Sequence, residues 1–520
     1  MKIYHAIFVI FLLLSSAFSG CIVNLDSCKI ISYSVTDRDG YATLSLHTNV
    51  SGSVVIDLIG TDGSLLDEQK PLEGEHTLLF SLGDYHKIPP AGEYTIKSLD
   101  RYGSVISKET IALSTPELSI TDKDTSWWRE IGRYTLIEVS LGVKNSGDVP
   151  VYIGKIEVGI DGLENSSAYI FDGVVKPDST ATISASIYIP SISSSEHNLS
   201  CRVFDTDDDL LTSSNFTVTP SYNPYMKRFH HNWNYGGKRF SINLPLPGRL
   251  LYLCSSLNRP PIEDYSYYVL FPYDDNYVSM ITDKLSSLYK GKNDEDRINF
   301  IASLAQSITY EAEEGEYPQF PIELLANKSG DCEDKAIFTA SILSNLGYDV
   351  VLIRLPQHMA VGVHLESSDY DGRVYYEDSE GKKYLFLETS NTGWKLGEAK
   401  DEYKNAANHT LYHVIPKPVL IEDCDSPVRY TSINRDYVEV NTRVKNIGII
   451  DADNVHIEVA FITQYDTKIS TESSETFSVV AGSEKQIHFE ADCPGTSFKK
   501  VTISVVYKGE NCFESTFIFE

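Results

Sequence analysis

Positive charge is what this 520-residue chain most lacks: 44 lysines and arginines stand against 73 aspartates and glutamates, a net charge of -29. Nucleic acid and anionic membrane surfaces repel such a chain, so neither is expected as a partner through a basic patch. Cysteine is scarce as well, with eight, and cysteines and histidines do not recur at the close spacings a zinc site needs. Beyond the first twenty residues no apolar run reaches the roughly 20 residues of a membrane-spanning helix, so the body of the chain is expected outside the membrane.

What is present begins at the N-terminus. Lys2 supplies a positive start, Ala6 to Leu14 an apolar run and Ser15 to Gly20 a small, polar stretch, so residues 1–20 read as a secretory signal peptide. Phe18-Ser19-Gly20-Cys21 resembles a lipobox. That resemblance implies lipidation of Cys21 and a lipid-anchored protein on the extracellular face of the cell membrane. An uncleaved signal anchor is the alternative. Six Asn-X-Ser/Thr sequons, beginning at Asn49, Asn165, Asn198, Asn215, Asn327 and Asn408, fit an exported chain. Export permits disulfides among Cys28, Cys201, Cys254, Cys424, Cys493 and Cys512, and the last three suffice for one bridge whose connectivity the sequence leaves open.

Single cores stop growing near roughly 250–300 residues, so three or four domains are expected. Thr115-Pro116, Pro220 to Pro224 and Pro416-Lys417-Pro418 punctuate the chain. Residues 27–115 alternate apolar and polar side chains in short runs such as Tyr41-Ala42-Thr43-Leu44-Ser45-Leu46, which predicts a β-sandwich. Residues 116–219 and 417–520 look like copies of one module. Each has a strand ending in Val-Lys-Asn-X-Gly, at Val143 to Gly147 and Val444 to Gly448, with the next strand about ten residues later. They resemble immunoglobulin-like surface modules, with a spacer or scaffold as the plain reading of their role.

Residues 223–416 differ in kind. Ile298, Ile301, Ala302, Leu304, Ala305 and Ile308 predict a helix over Asp294–Tyr310, and Ala336, Ile337, Ala340, Leu343 and Leu346 another over Asp331–Leu346. Extended runs follow at Val350–Leu355, Met359–Glu366, Val374–Glu377 and Tyr384–Thr389, which makes an α+β domain. Gly330 breaks the chain before the second helix and puts Cys332 in its first turn, where the helix dipole favours a thiolate. On the following strand His358, Ala360, Gly362 and His364 share one face. The small side chains of that face are expected to admit the helix and bring Cys332 against His358. Glu388, at the end of a later strand, suits the orienting carboxylate of a nucleophile–base–acid relay.

Pro318 to Leu325, Gly330-Asp331-Cys332-Glu333-Asp334-Lys335, Gly347 to Val350, Pro356-Gln357-His358-Met359-Ala360-Val361-Gly362-Val363 and Leu387-Glu388-Thr389 resemble the archaeal and bacterial transglutaminase-like superfamily. That resemblance implies a papain-like core with Cys332 as nucleophile, His358 as base and acid and Glu388 as the carboxylate, with His364 as a fallback base. The family more often has Asp at the third position. The implied activity is acyl transfer through a thioester on a protein or peptide substrate at the cell surface, hydrolysis first. Crosslinking, or a non-enzymatic scaffold, are the alternatives. Gln306 is a candidate oxyanion donor and Trp394 a candidate cleft wall. No cofactor is required, but Asp331, Glu333 and Asp334 crowd the nucleophile with negative charge. A resemblance to periplasmic bacterial transglutaminase-like cysteine proteinases implies calcium there, and helix capping is the alternative.

Overall fold

The computed structural model describes residues 26–312, 315–366, 369–404, 406–431, 435–494 and 497–519. The expected signal peptide and Cys21 lie outside the described residues. The chain is multidomain and mostly β, and it divides into two compact units. Residues to Asp84 with Pro89–Thr115 form one, and Tyr85–Ile88 with Pro116 onward form the other.

The first unit pairs a three-stranded sheet with a four-stranded one. Alternation along Tyr41–Ser51 and Gly92–Leu99 turns Leu44, Leu46, Tyr94 and Ile96 inward, the half-buried pattern of a sandwich.

The second unit opens and closes on sandwich-like sheet pairs, and the repeated Val-Lys-Asn-X-Gly has a single physical explanation in both. Asn145 and Asn446 are fully buried. Asn145 donates to the carbonyls of Val149 and Val175 at 2.8 and 3.1 Å and accepts from the Gly147 N–H at 2.9 Å. Asn446 does the same with Ile450, Val479 and Gly448 at 2.8, 3.1 and 3.0 Å. Close approach requires Gly448, where a Cβ would lie 2.4 Å from the Lys417 carbonyl, and crowds Gly147, where one would lie 3.2 Å from Pro116 Cα. The motif therefore clamps a hairpin onto the proline-bearing segment that leads into its own module.

Between these sandwiches lies a helical layer on a five-stranded antiparallel sheet, ordered Tyr375–Glu377, Lys383–Leu387, His358–His364, Asp349–Leu355, Thr410–His413. The predicted helices run Asp294–Ser307 and Cys332–Asn345. The first stops earlier than its apolar pattern because Thr309–Tyr310 turns extended and pairs in parallel with Ser329–Gly330. Helices Gly248–Ser256, Asp275–Leu288 and Pro321–Asn327 complete the layer. Its core takes in Trp128 and Ile137 of the preceding sandwich. Asn276 donates to the carbonyls of Ser167 and Ser186, and Lys284 pairs with Glu130 at 2.7 Å. The sandwich is thus welded to the helical layer.

The cysteines of the described residues are all free thiols, and the bridge that Cys424, Cys493 and Cys512 could supply is not formed.

Candidate active site

The alternation predicted for His358–His364 is present, but the helix lies on the other face. Met359, Val361 and Val363 pack into the helical core, whereas Ala360 joins a smaller cluster with Val351, Ile353, Tyr384 and Phe386. The bulkier face buries more apolar area against a helix, and the space at Gly362 is filled from within the sheet, where an added Cβ would meet Val351 at 2.6 Å. Cys332 begins the helix that packs on the histidine strand, where the Met359 backbone N–H favours the thiolate but is outweighed by burial and Glu333.

His358 opens its strand and Glu388 follows directly on the strand Lys383–Leu387. The His358 Nε2 donates to Glu388 Oε2 at 3.1 Å, with the two side chains 8% and 1% exposed. This bond fixes the tautomer and leaves Nδ1 as the basic nitrogen. The Tyr403 ring stacks on the imidazole at 4.5 Å and 8°. Burial would raise the Glu388 pKa, but the bond from His358 and the Ser390 N–H at 2.8 Å outweigh it and hold the carboxyl below its usual range. His364, six residues and about 20 Å further along the strand, gives Nδ1 to the Lys383 carbonyl at 2.9 Å and is remote from Cys332.

The thiol departs from expectation. Burial first, then the charge of Glu333 and a hydrogen bond to it, push the Cys332 pKa far above the usual thiol value, and the helix start does not offset this. The Cys332 thiol donates to Glu333 Oε2 at 3.2 Å. Burial and the neighbouring Asp331 carboxyl raise the Glu333 pKa to about 8.

The three acidic neighbours separate into two roles. Asp334 is 1% exposed and accepts from the Gln319 N–H at 2.7 Å, Gln319 Nε2 at 2.6 Å and the Asp331 N–H at 3.2 Å. Gly330 makes room, since a Cβ there would lie 2.6 Å from Asp334 Oδ2. Asp334 therefore caps the helix in a capping box with the N-cap Asp331, and leaves the expected metal set. Asp331, Cys332 and Glu333 keep ligand atoms within 4.8 Å of one another, and Asp331 Oδ1 is buried with no hydrogen-bond partner. Two carboxylates, one of them with an orphaned oxygen, fit a hard cation, although the sulfur is too soft to serve it.

Gln306 is buried and spends its amide on backbone, donating to the carbonyls of Glu388 at 2.7 Å and Trp394 at 3.0 Å and accepting from Gly393 at 3.3 Å. It positions the Glu388 segment and has no hydrogen left for an oxyanion. Trp394 is half-buried and lies outside the core clusters. A cleft of about 1370 Å³ is lined by Ser341, Ser344 and Asn345, at the opposite end of the helix Cys332–Asn345 from Cys332.

No protein-family model and no curated protein matches the chain. Among solved structures it is similar to the red sea bream transglutaminase, at 10% identity over 73% of this chain and 80% of that one, with a TM-score of 0.16. Fibronectin(III)-like modules of Clostridium thermocellum CbhA match at 12% identity over 37% of this chain and 93% of theirs, TM-score 0.13. The Amycolatopsis orientalis exo-chitosanase CsxA matches at 8% over 92% and 76%, TM-score 0.15. Superpositions this loose carry no argument about the site, which stands on its own geometry.

Proposed function

We propose that the central domain, of transglutaminase-like and papain-like type, is a cysteine-nucleophile acyl-transfer centre. The observation that carries this is the buried His358–Glu388 pair at 3.1 Å, at the start of the strand against which the helix beginning at Cys332 packs. Glu388 holds the imidazole with Nδ1 free to take the thiol proton as sulfur attacks an amide carbonyl. The imidazolium then returns that proton to the leaving amine, giving a thioester. Water completes a hydrolysis, releasing acid and regenerating the thiol; a second amine completes a crosslink. Water is the abundant acceptor, so hydrolysis of a protein or peptide is the first reading. The features at residues 1–21 support an exported, lipid-anchored protein acting at the cell surface.

A calcium ion held by Asp331 and Glu333 would neutralise the carboxylates that oppose thiolate formation. Chelator is then expected to lower both the melting temperature and the alkylation rate of Cys332, and added calcium to restore them; no change in either ends the calcium reading.

Cys332→Ala is expected to abolish iodoacetamide labelling at that position and all turnover while the fold persists. Mass spectrometry of peptide and surface-protein mixtures incubated with wild type and Cys332→Ala then separates the branches. New termini mean hydrolysis, and crosslinks or deamidated glutamines mean transamidation. Turnover that persists in Cys332→Ala overturns the proposal in favour of a scaffold.

A further inference from the structure

Lys335 stands within the nucleophile motif, yet the triad leaves it without a task. It lies one turn into the helix that begins at Cys332 and is fully buried, which lysine almost never is unless paired. Its ammonium donates to the Ile308 carbonyl at 2.6 Å and the Ser390 carbonyl at 3.2 Å, and lies 5.8 Å from the centre of the Tyr310 ring. Two carbonyls and one aromatic face account for its three N–H directions.

Those partners belong to two segments that must meet at the nucleophile. Ile308 and Tyr310 follow the helix Asp294–Ser307 and lead into the strand beside Gly330. Ser390 donates its backbone N–H to Glu388 Oε1 at 2.8 Å, while Glu388 Oε2 holds His358 Nε2. An unbroken set of bonds therefore runs from the helix of the nucleophile, through Lys335, Ser390 and Glu388, to the base. An apolar side chain would fill the same space at lower desolvation cost but would leave both carbonyls unpaired.

We propose that Lys335 is a positioning residue for the cysteine–histidine pair, its buried ammonium locking the Glu388 segment against the helix that carries Cys332. The inference rests on the acyl-transfer reading, and the experiment keeps the two apart. The readouts are the rate at which iodoacetamide alkylates Cys332 near neutral pH and the downfield proton NMR signal of the His358–Glu388 hydrogen bond. If wild type is alkylated no faster than His358→Ala, the acyl-transfer reading fails first.

With a faster wild type, Lys335→Met is expected to keep its far-ultraviolet circular dichroism, slow alkylation about tenfold or more, and lose the downfield signal. Lys335→Arg keeps charge and donors and is expected to recover a rate within about threefold of wild type. Wild-type rate and signal in Lys335→Met overturn the inference, as does a folded Lys335→Arg no faster than folded Lys335→Met. Should Lys335→Met not fold, Lys335→Arg decides alone: retention of signal and rate supports the lock, and loss of either in a folded protein overturns it.

Discussion

The Cys332 thiol donates to Glu333, and the proton in that bond is the one His358 would take in the proposed reaction. The Glu333 carboxyl titrates near 8 in the folded protein, against about 4.3 in an unfolded chain. Between those values the folded state binds a proton that the unfolded state lacks, so this group's contribution to stability is greatest below about pH 4.3 and declines as pH rises towards 8. Glu333→Gln is expected to flatten that decline, giving a higher melting temperature than wild type near pH 8, and to speed alkylation of Cys332. Equal pH–stability curves would refute the assignment. Glu388→Gln is expected to lower turnover by about 10²–10⁴-fold, because an amide neither fixes the tautomer nor steadies the imidazolium. Cys332 at a helix start and His358 on a strand were placed by local pattern, while Glu388, which the structure sets against His358, was singled out mainly by the family resemblance. Lys335 and Tyr403 were not legible, since their roles depend on which distant carbonyl or ring lies opposite. The helix-bearing face of the histidine strand was misread for a related reason: alternation separates two faces without saying which is covered.

Among the elements, the repeated asparagine is the clearest case of sequence carrying tertiary information. Asn145→Ala would leave the Val149 and Val175 carbonyls and the Gly147 N–H without their partner, at a cost of about 3 kcal/mol. Asn446→Ala should behave alike in the last sandwich, and denaturant titration followed in that module checks it. A cost below about 0.5 kcal/mol in both would mean that water replaces the amide. The motif was readable because the same five-residue pattern occurs twice. The helices Gly248–Ser256, Asp275–Leu288 and Pro321–Asn327 had no second copy, and the last is short and starts on a proline, so apolar spacing marked them poorly.

For the whole molecule, a mostly β chain with sandwich-like sheets was visible in the short alternating runs, but the weld between the second sandwich and the helical layer was not. Trp128 and Ile137 belong by sequence to one sandwich and by packing to the helical core. A chain beginning at residue 223 is accordingly expected to expose that core and bind a hydrophobic dye, whereas one beginning at residue 116 should melt cooperatively. The -29 net charge sets a second expectation. Raising salt from about 0.01 to 0.15 M should raise the melting temperature by a few degrees as self-repulsion is screened.

The bond from Cys332 to Glu333 has a consequence for survival as well as for turnover. Peroxides oxidise a thiolate far faster than a thiol, and sulfinic and sulfonic acids end its use as a nucleophile. A sulfur that spends only part of its time as the thiolate would lose its nucleophile to peroxide more slowly than a standing thiolate.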